Sequence, residues 1–254
     1  MKLSIITVTY NSAKTLGRTI ESVLCQGHPN IEYIIVDGAS NDKTVDVIKL
    51  YEEKFKKKDI SYVWISEPDK GIYDAFNKAL KMSSGAWVSF LGADDYYLKN
   101  AVGIYADEIK KRPDYDLIYS KVQIFNGERH LKLIDRKWSW KMFKKRMDIA
   151  HVGAFHNKLF FERHGYFDIS YKIAGDYEVL LRAKDKLKAH HVDKLTAMMA
   201  FGGISNQNIS LALKEAFRAK KNTAKISLLS CIIDHIFAVL IIKSKRLTTN
   251  LTVK

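Results

Sequence analysis

Short β-rich runs alternate with helical patterns through the first hundred residues of this chain. The β-rich runs are Leu3–Thr9, Ile31–Val36, Tyr62–Ile65 and Ala86–Leu91. Between consecutive runs, apolar residues recur every three or four positions, which is the spacing of one buried helix face. This alternation predicts right-handed strand–helix–strand crossovers. It therefore predicts an α/β fold with a Rossmann-like, mostly parallel central sheet and flanking helices.

Polar residues follow each of the four predicted strands. They occupy the segments Thr7–Asn11, Asp37–Ser40, Glu67–Gly71 and Gly92–Asp95. Ligands of parallel sheets bind beyond the carboxyl ends of the strands, so we expect these segments to share one binding edge. Any single aspartate among them could instead be a helix N-cap or a turn residue, and Lys70-Gly71 could be a plain turn. Aspartate follows three of the four predicted strands, and this recurrence favours a binding site.

Two adjacent carboxylates, Asp94 and Asp95, follow the fourth strand in the stretch FLGADDYY. Repulsion between neighbouring carboxylates, added to partial desolvation, costs free energy unless a cation or strong donors compensate. A bound metal ion is one answer and a helix N-terminus is another. The stretch alone leaves both open.

The second half of the chain is less regular. Leu117–Phe125 and Arg129–Ile134 flank Asn126-Gly127, which predicts a β-hairpin with a two-residue turn. The sequence contains no internal repeat and no clear linker. We therefore expect one α/β domain over residues 1–205 and an appended helical segment over residues 206–254.

The chain is basic, with 42 Lys and Arg against 28 Asp and Glu and a net charge of +14. Such a charge favours anionic partners: nucleotides, phospholipid surfaces or nucleic acid. Cys25 and Cys231 lie far apart without CxxC spacing, so neither a disulfide framework nor a zinc site is indicated. The opening stretch MKLSIITVTYNS is too short an apolar run for a signal peptide. We therefore expect a cytoplasmic protein.

A basic, aromatic stretch spans Arg136–Arg146 (RKWSWKMFKKR). Trp138, Trp140 and Phe143 alternate there with lysine and arginine, a composition typical of an interfacial membrane anchor. A solvated helix face with a few core aromatic residues is an equal alternative.

An apolar stretch near the C-terminus, Ile226–Ile242, is interrupted by Asp234 and His235. Spanning a membrane takes about 20 mostly apolar residues, so we expect an in-plane or docking helix rather than a span. Six basic residues bracket the stretch, as anionic headgroups would favour: Lys220, Lys221, Lys225, Lys243, Lys245 and Arg246. The C-terminal segment is thus a candidate peripheral contact with the inner face of the cytoplasmic membrane.

Five motifs in order resemble those of the family 2 glycosyltransferases, in particular the enzymes that build bacterial surface polysaccharides. The motifs are SIITVTYN, YIIVDGASNDKT, SEPDKGIYDAFNKAL, FLGADD and IAGDYEVLLR, and their spacing matches over residues 1–205. The resemblance implies a GT-A fold and an inverting enzyme that uses a nucleotide-sugar donor. It also implies a nucleotide-binding half over residues 1–100 and an acceptor-binding, catalytic half over residues 101–205.

The resemblance also implies the site residues. The implied donor-nucleotide residues are Thr7, Thr9, Tyr10, Asn11, Asp37, Asp69, Lys70 and Asp94. Asp95 is the implied ligand of Mg²⁺ or Mn²⁺, and Asp176 is the implied catalytic base. A UDP-sugar is the favoured donor and a GDP-sugar the alternative. The implied acceptor is a glycan or a polyprenyl-diphosphate-linked glycan.

One position departs from the family pattern. Many relatives carry an acid two residues before the first of the paired acids, where this chain has Gly92. The D-x-D spacing is therefore absent and only the adjacent pair remains. We expect Asp95 to coordinate the metal and Asp94 to face the ribose or the metal's outer shell.

These residue types suit the implied chemistry. Negative charge develops on the departing nucleoside diphosphate, and a hard divalent cation held by carboxylates stabilises that charge. Inversion needs a base within about 3 Å of the acceptor hydroxyl. Asp176 would serve, although it could also be a simple N-cap. A helix start would stabilise its charged form and keep its basicity modest.

Other interpretations remain open at this point. A basic nucleic-acid-binding protein would explain the charge, but the chain lacks a recognisable reading module and its acidic edge would repel phosphates. A sugar nucleotidyltransferase would need a Gly-rich basic loop, which TVTYNSAKT does not provide. A non-catalytic protein of the same fold would bind donor without transferring sugar. His151 and His156 are expected to be structural or acceptor-side residues, and His190-His191 a weaker candidate for a metal ligand.

Overall fold

The structure is a computed structural model that describes residues 1–203 and 207–251. The predicted boundary between residues 205 and 206 lies outside the described residues. The strands are β1 (Leu3–Thr9), β2 (Ile31–Asp37), β3 (Ser61–Ser66), β4 (Trp87–Phe90), β5 (Tyr96–Tyr97), β6 (Leu117–Asn126), β7 (Arg129–Ile134), β8 (Ala154–Asn157) and β9 (Ala189–Ala200). The helices are α1 (Leu16–Leu24), α2 (Thr44–Lys49), α3 (Glu52–Lys57), α4 (Ile72–Met82), α5 (Ala101–Lys111), α6 (Trp140–Phe143), α7 (Lys158–His164), α8 (Gly175–Leu181), α9 (Ile209–Asn222) and α10 (Leu228–Leu251).

The strands form one sheet in the order β3-β2-β1-β4-β8-β6-β9-β5, and β7 pairs with the outer part of β6. β3, β2, β1 and β4 are parallel neighbours, as the alternating pattern predicts. β8 lies antiparallel between β4 and β6, so β6 and its parallel partner β9 run in the same direction as the first four strands. The prediction of an α/β fold with a mostly parallel sheet is confirmed.

Helices cover both faces of the parallel part of the sheet. Successive residues of β1 alternate between two core clusters: Ile6 belongs to one with α4, and Ile5 belongs to the other with α1. β2 does the same with Ile34 and Ile35. Burial on both faces explains why these strands are almost continuously apolar. It also leaves the loops beyond the strand ends as the exposed edge of the sheet.

The predicted hairpin forms, with its turn displaced by one residue. Asn126 pairs with Arg129, so the two-residue loop is Gly127-Glu128 rather than Asn126-Gly127. Gly127 has φ +58°, a left-handed conformation that glycine adopts without strain.

The basic aromatic stretch belongs largely to the core. Phe143 is fully buried, and Trp138 and Trp140 are partly buried against the same cluster. The structure therefore favours the core alternative over the interfacial anchor for these three rings.

The C-terminal helices dock on the α/β domain. Lys220 of α9 is only 4% exposed, and its Nζ lies 3.3 Å from Asp234 Oδ2 of α10 and 3.2 Å from the carbonyl oxygen of Lys145. Lys220 is thus an internal ion-pair partner and not one of the cations available to headgroups. The same pair explains why an aspartate interrupts the apolar run. Within the described part of the chain, no helix has the length and apolar character needed to cross a membrane.

Candidate active site

A cavity of about 600 Å³ opens at the carboxyl edge of the parallel strands. Its walls carry Asp95 from the loop after β4 and Asp176 from the first turn of α8. Two carboxylates that lie 81 positions apart in the chain therefore face one space. The cavity continues between α9 and α10, so the C-terminal segment contributes to the site.

The paired carboxylates after β4 are poorly solvated. Asp95 is 8% exposed, and its Oδ1 accepts a hydrogen bond of 2.8 Å from the backbone nitrogen of Ala200. Burial, together with the charge of Asp94, raises the pKa of Asp95 to about 7. Burial also raises the pKa of Asp94 above its usual range. Neither carboxylate starts a helix, so the helix N-terminus alternative does not apply here.

Gly92 explains how the two carboxylates can share this space. A Cβ atom at position 92 would lie 2.5 Å from Asp95 Oδ2 and 3.2 Å from Asp94 Oδ1. Oxygens of both side chains therefore converge on the point that a side chain at position 92 would fill. With the carboxylates in these positions, a side chain at position 92 would require Asp95 to move.

Arg18 of α1 supports this loop from behind. Its Nη2 donates a 2.9 Å hydrogen bond to the carbonyl oxygen of Asp94, and its guanidinium lies 4.6 Å from the centroid of the Tyr96 ring and 4.8 Å from that of Phe125. The arginine thus bonds to the backbone of Asp94 and not to the carboxylate oxygens of the pair. Its charge lowers the pKa of Asp94, but less than burial raises it.

The acidic pair fits a divalent cation. Within residues 1–203 and 207–251, His, Cys, Asp and Glu side chains do not form a group of three or more around a potential metal position. Mg²⁺ commonly takes one or two protein carboxylates and keeps several waters, so two converging oxygens are sufficient. Their burial near each other favours a compensating positive charge.

Asp176 has one oxygen engaged by the protein. Its Oδ1 accepts hydrogen bonds of 2.8 Å from the backbone nitrogen of Tyr177 and 3.4 Å from the hydroxyl of Tyr73. Burial raises the pKa of Asp176 to about 6, while these hydrogen bonds oppose the rise. The expectation that the helix start would keep its basicity modest is therefore wrong in direction. Burial outweighs the helix start, and the carboxylate is a better base than an exposed aspartate.

Three residues that motif reasoning did not single out surround Asp176. The single proton of the Tyr73 hydroxyl is shared with the carbonyl oxygen of Ile173 at 2.6 Å, so the 3.4 Å contact with Asp176 Oδ1 is the weaker of the two. Lys172 lines the cavity, and its Nζ donates to the carbonyl oxygen of Lys70 at 2.7 Å. Glu215 of α9 accepts hydrogen bonds from the backbone nitrogens of the segment just before α8. Tyr73 lies within the motif SEPDKGIYDAFNKAL, whereas Lys172 and Glu215 carry no recognisable sequence signal.

A second corner of the edge brings Tyr10 and Asp69 together over Gly38. A Cβ atom at position 38 would lie 2.6 Å from Asp69 Oδ2 and 3.5 Å from the Tyr10 ring. Tyr10 is 61% exposed, and Asp69 Oδ1 accepts a 2.7 Å hydrogen bond from the backbone nitrogen of Gly71. An exposed ring beside a fixed carboxylate suits a base and a ribose.

Thr7 and Asp37 do not reach the surface of this edge. Thr7 is fully buried and accepts a 3.0 Å hydrogen bond from the Tyr33 hydroxyl. Asp37 is also fully buried, and its oxygens accept bonds from the backbone and hydroxyl of Ser40 and from the hydroxyl of Ser66. Both side chains are therefore enclosed by the protein in this structure, and their contact with a nucleoside stays a prediction. Asp37 fixes the loop after β2.

The remaining implied donor residues lie at the edge. Asn11 has φ +51° and accepts a 3.0 Å hydrogen bond from the backbone nitrogen of Asn41 through its side chain. Thr9 is 5% exposed, and its hydroxyl lacks a hydrogen-bond partner within the described residues. Lys70 is exposed beside Asp69. These three residues are compatible with donor binding.

The histidines fall into two groups. His151 lines the main cavity and stacks on Phe90 at a centroid distance of 4.7 Å, and His156 is fully buried beside it. Burial lowers the pKa of His156 to about 3, so this ring is neutral. His190 and His191 line a different cavity and pair with Glu108 and Asp135. They therefore do not join Asp95 as metal ligands.

This combination of features defines a class of protein. A mostly parallel sheet with paired acids after its fourth strand, and a further carboxylate facing the same cavity, is the arrangement of a GT-A glycosyltransferase. The model of the family described as glycosyl transferase family 2 matches residues 4–164, more than half of the chain. The chain belongs to this family, and the predicted glycosyltransferase class is confirmed.

Individual relatives agree with the family assignment. A PGL/p-HBAD biosynthesis glycosyltransferase of Mycobacterium bovis is 26% identical over 211 residues, which cover 80% of this chain and 78% of the relative. A TarS fragment of S. aureus in complex with UDP-GlcNAc has a similar fold, with a TM-score of 0.68, 20% identity and coverage of 88% of this chain and 67% of the fragment. The chain spans 40% of a longer TarS structure.

A third similar structure matches nearly the whole chain. The mannosyltransferase PcManGT of Pyrobaculum calidifontis, solved with GDP-Man and Mn²⁺, has a TM-score of 0.66 at 16% identity and covers 99% of this chain and 80% of that enzyme. At this identity the likeness shows the fold. It extends to the region of the C-terminal helices.

Proposed function

We propose that this protein transfers a sugar, with inversion, from a nucleotide-diphosphate donor to a hydroxyl of a glycan or lipid-linked acceptor in surface-polysaccharide biosynthesis. The observation that carries the proposal is the shared cavity of Asp95 and Asp176. One carboxylate would hold the cation that a leaving diphosphate needs, and the other would act as the base that an attacking hydroxyl needs.

Asp176 is the proposed base. Its Oδ1 is held by Tyr177 and Tyr73, which leaves Oδ2 for the acceptor hydroxyl. With a pKa of about 6, the carboxylate is mostly ionised at neutral pH and is still more basic than an ordinary aspartate. As the hydroxyl attacks the anomeric carbon, its proton passes to Asp176. Proton removal of this kind contributes about 10²–10⁴-fold to the rate.

Asp95 is the proposed metal ligand, with Asp94 beside it toward the ribose or the outer shell. A bound Mg²⁺ or Mn²⁺ would supply positive charge for the departing diphosphate. The converging oxygens at Gly92 and the raised pKa of both carboxylates support this assignment. Arg18 would keep the loop in place whether or not the cation is present.

The nucleoside is proposed to bind at the corner formed by Tyr10 and Asp69. Thr9, Asn11 and Lys70 would complete the donor site. Asp37 would act indirectly, through the loop that it holds. A UDP-sugar is the favoured donor because the TarS fragment was solved with UDP-GlcNAc, and a GDP-sugar is the alternative because PcManGT was solved with GDP-Man.

The donor assignment is tested by thermal unfolding with a panel of UDP-, GDP- and dTDP-sugars, each with and without Mn²⁺. A ligand that binds only the folded protein raises its stability by mass action. We expect one base to stabilise the wild type in the presence of Mn²⁺ and to lose this effect in Asp95→Asn. Stabilisation by no nucleotide, or equal stabilisation of both proteins, would contradict the proposal.

We further propose that α10 rests on the inner face of the cytoplasmic membrane. Its outer surface exposes a row of large apolar side chains between 41% and 69% exposed: Leu228, Leu229, Ile232, Ile233, Ile236, Phe237, Leu240 and Ile241. Lys225 precedes the helix, and cations near anionic lipid contribute about 1 kcal/mol each. An apolar row beside basic residues fits a headgroup surface.

Flotation with vesicles of phosphatidylglycerol and phosphatidylethanolamine tests this contact. The double variant Ile236→Ser/Phe237→Ser should no longer float with the vesicles. The control Leu50→Ser, at a 72% exposed position in another region, should float like the wild type. Equal flotation of all three proteins would reject α10 as the contact.

A further inference from the structure

The part of the cavity beyond Asp176 is lined mainly by apolar side chains of the C-terminal helices, together with the paired Lys220 and Asp234 and with His235. Six residues of α9 and α10 and of the neighbouring loop form it: Ala212, Leu213, Ala216, Phe217, Ala238 and Met147. We refer to this part as the apolar chamber. The nucleoside is proposed to bind elsewhere, at the corner of Tyr10 and Asp69, and the sugar and diphosphate of the donor are polar. The acceptor is the ligand left to occupy it.

Specific polar contacts fix the two helices that form the apolar chamber. Glu215 joins α9 to the segment before Asp176 through three backbone hydrogen bonds of 2.8 to 2.9 Å. The buried pair of Lys220 and Asp234 joins α9 to α10. Both helices are therefore held at a fixed position relative to the proposed base.

Positive charge lines the same cavity as the apolar chamber and the two carboxylates. Lys145 and Arg146 line the cavity and are exposed to solvent. The nearby carboxylate of Asp148 partly balances Arg146. The salt bridges of the described residues do not involve Lys145 or Arg146 within 4.0 Å. Two available cations at the entrance of an apolar space suit a phosphate that carries an apolar chain.

We propose that the apolar chamber binds the hydrocarbon chain of a phosphate-linked lipid acceptor, with Lys145 and Arg146 contacting its phosphate. The acceptor's sugar would then lie between these cations and Asp176. The proposal rests on the proposed function and specifies its acceptor as lipid-linked. The apolar outer face of α10 is consistent with it, because a chain bound between α9 and α10 would come from a membrane on that side.

Isothermal titration with farnesyl diphosphate and with inorganic diphosphate tests the proposal without knowledge of the sugar. The two probes share the anion and differ in the apolar chain. We expect the wild type to bind farnesyl diphosphate roughly tenfold or more tightly than inorganic diphosphate, because the chain loses contact with water in the apolar chamber. Equal affinities for the two probes would overturn the proposal.

Ala216→Trp places an indole in the apolar chamber and should abolish the advantage of the farnesyl chain. Ser210→Trp, on the exposed surface of the same helix, is the matched control and should keep it. Ala216→Leu is a milder variant in case the tryptophan prevents folding, and it should reduce the advantage severalfold. An unchanged advantage in a folded Ala216 variant would overturn the proposal.

Titration of each variant with the nucleotide selected by the thermal panel, in the presence of Mn²⁺, distinguishes failure of the lipid-site proposal from failure of the proposed function. Wild-type protein that binds the nucleotide but does not distinguish the two diphosphates would contradict only the apolar chamber. Wild-type protein that binds no nucleotide would contradict the proposed function itself.

Discussion

The carboxylate of Glu215 lies 2.9 Å from the backbone nitrogen of Ala174, two residues before Asp176. The same carboxylate accepts hydrogen bonds of 2.8 Å from the backbone nitrogens of Lys172 and Ile173. A buried side chain of the C-terminal segment thus fixes three consecutive residues of the segment that carries the proposed base. The region beyond the matched family model therefore holds in place the segment that carries the proposed base.

Glu215→Gln should slow sugar transfer without weakening donor binding. The amide retains one acceptor oxygen but presents an NH₂ group to backbone N–H donors, so the segment that carries Asp176 should shift. A misplacement of about 1 Å can cost on the order of 10²-fold in rate. The measurement is kcat together with the donor Kd, with the exposed neighbour Lys214→Ala as control. A parallel loss of kcat and donor affinity would indicate a general structural role instead.

The rate of transfer should depend on the ionisation of Asp176. Burial raises the pKa of Asp176 to about 6, and only the ionised carboxylate can accept a proton. The rate should therefore rise with pH through about pH 6 and fall about tenfold per unit below it. The measurement is the pH profile of kcat at saturating donor and metal. A flat profile between pH 5 and pH 7 would contradict the assignment of Asp176 as the base.

Gly92→Ala should impair metal-dependent donor binding. The new Cβ atom would lie 2.5 Å from Asp95 Oδ2, a distance that Cβ atoms do not tolerate, so the Asp95 carboxylate must move. We expect donor affinity in Mn²⁺ to fall about tenfold, which corresponds to about 1.4 kcal/mol. Gly27→Ala, where a Cβ atom meets nothing within 4 Å, is the matched control. Equal donor affinity of both variants would mean that the carboxylate positions near Gly92 are not needed for binding.

Asp95→Asn should stabilise the metal-free protein while it removes the metal site. Asp95 has a pKa of about 7 in the folded protein against an ordinary value of 3.8, so the folded state binds the extra proton. Its contribution to the free energy of unfolding is present below about pH 4 and is lost progressively as pH rises to about 7. The variant should therefore exceed the wild type in stability at pH 8 and lose most of that advantage at pH 4.

Chemical unfolding without metal at these two pH values measures the effect. Asp94→Asn provides the comparison, because Asp94 is less buried and burial raises its pKa less. A destabilised Asp95→Asn protein at pH 8 would show that the buried carboxylate is satisfied by the protein and needs no cation.

The parallel half of the fold was predictable from the sequence because its strands are buried on both faces. β1 was predicted at its observed bounds, Leu3–Thr9, and the four polar exits lie at one edge as expected. The rule that ligands bind beyond the carboxyl ends of parallel strands identifies an edge of the sheet. It does not give the direction in which each side chain points. It therefore grouped Thr7 and Asp37 with the surface residues, although both are buried: Thr7 accepts a hydrogen bond from Tyr33, and Asp37 accepts hydrogen bonds from Ser40 and Ser66.

The rest of the site depends on long-range contacts that local patterns do not encode. Glu215 occupies an ordinary amphipathic helix, and its function follows only from the docking of α9 beside residues 172–174. The raised pKa of Asp176 likewise reflects burial by distant segments, which outweighs the local effect of a helix start. The sequence alone suggests that Lys220 faces lipid headgroups and that Asp234 merely interrupts an apolar run, whereas the structure pairs the two residues.

Asp95 is proposed to hold the metal for donor binding, and Asp176 is proposed to act as the base. One paired measurement tests this division of roles. Donor binding by titration and sugar transfer from the donor selected by the thermal panel should be measured with Mn²⁺ for Asp95→Asn and Asp176→Asn. We predict that Asp95→Asn loses donor binding, whereas Asp176→Asn binds donor like the wild type and transfers sugar about 10²–10⁴-fold more slowly. Near-normal transfer by Asp176→Asn would contradict the account.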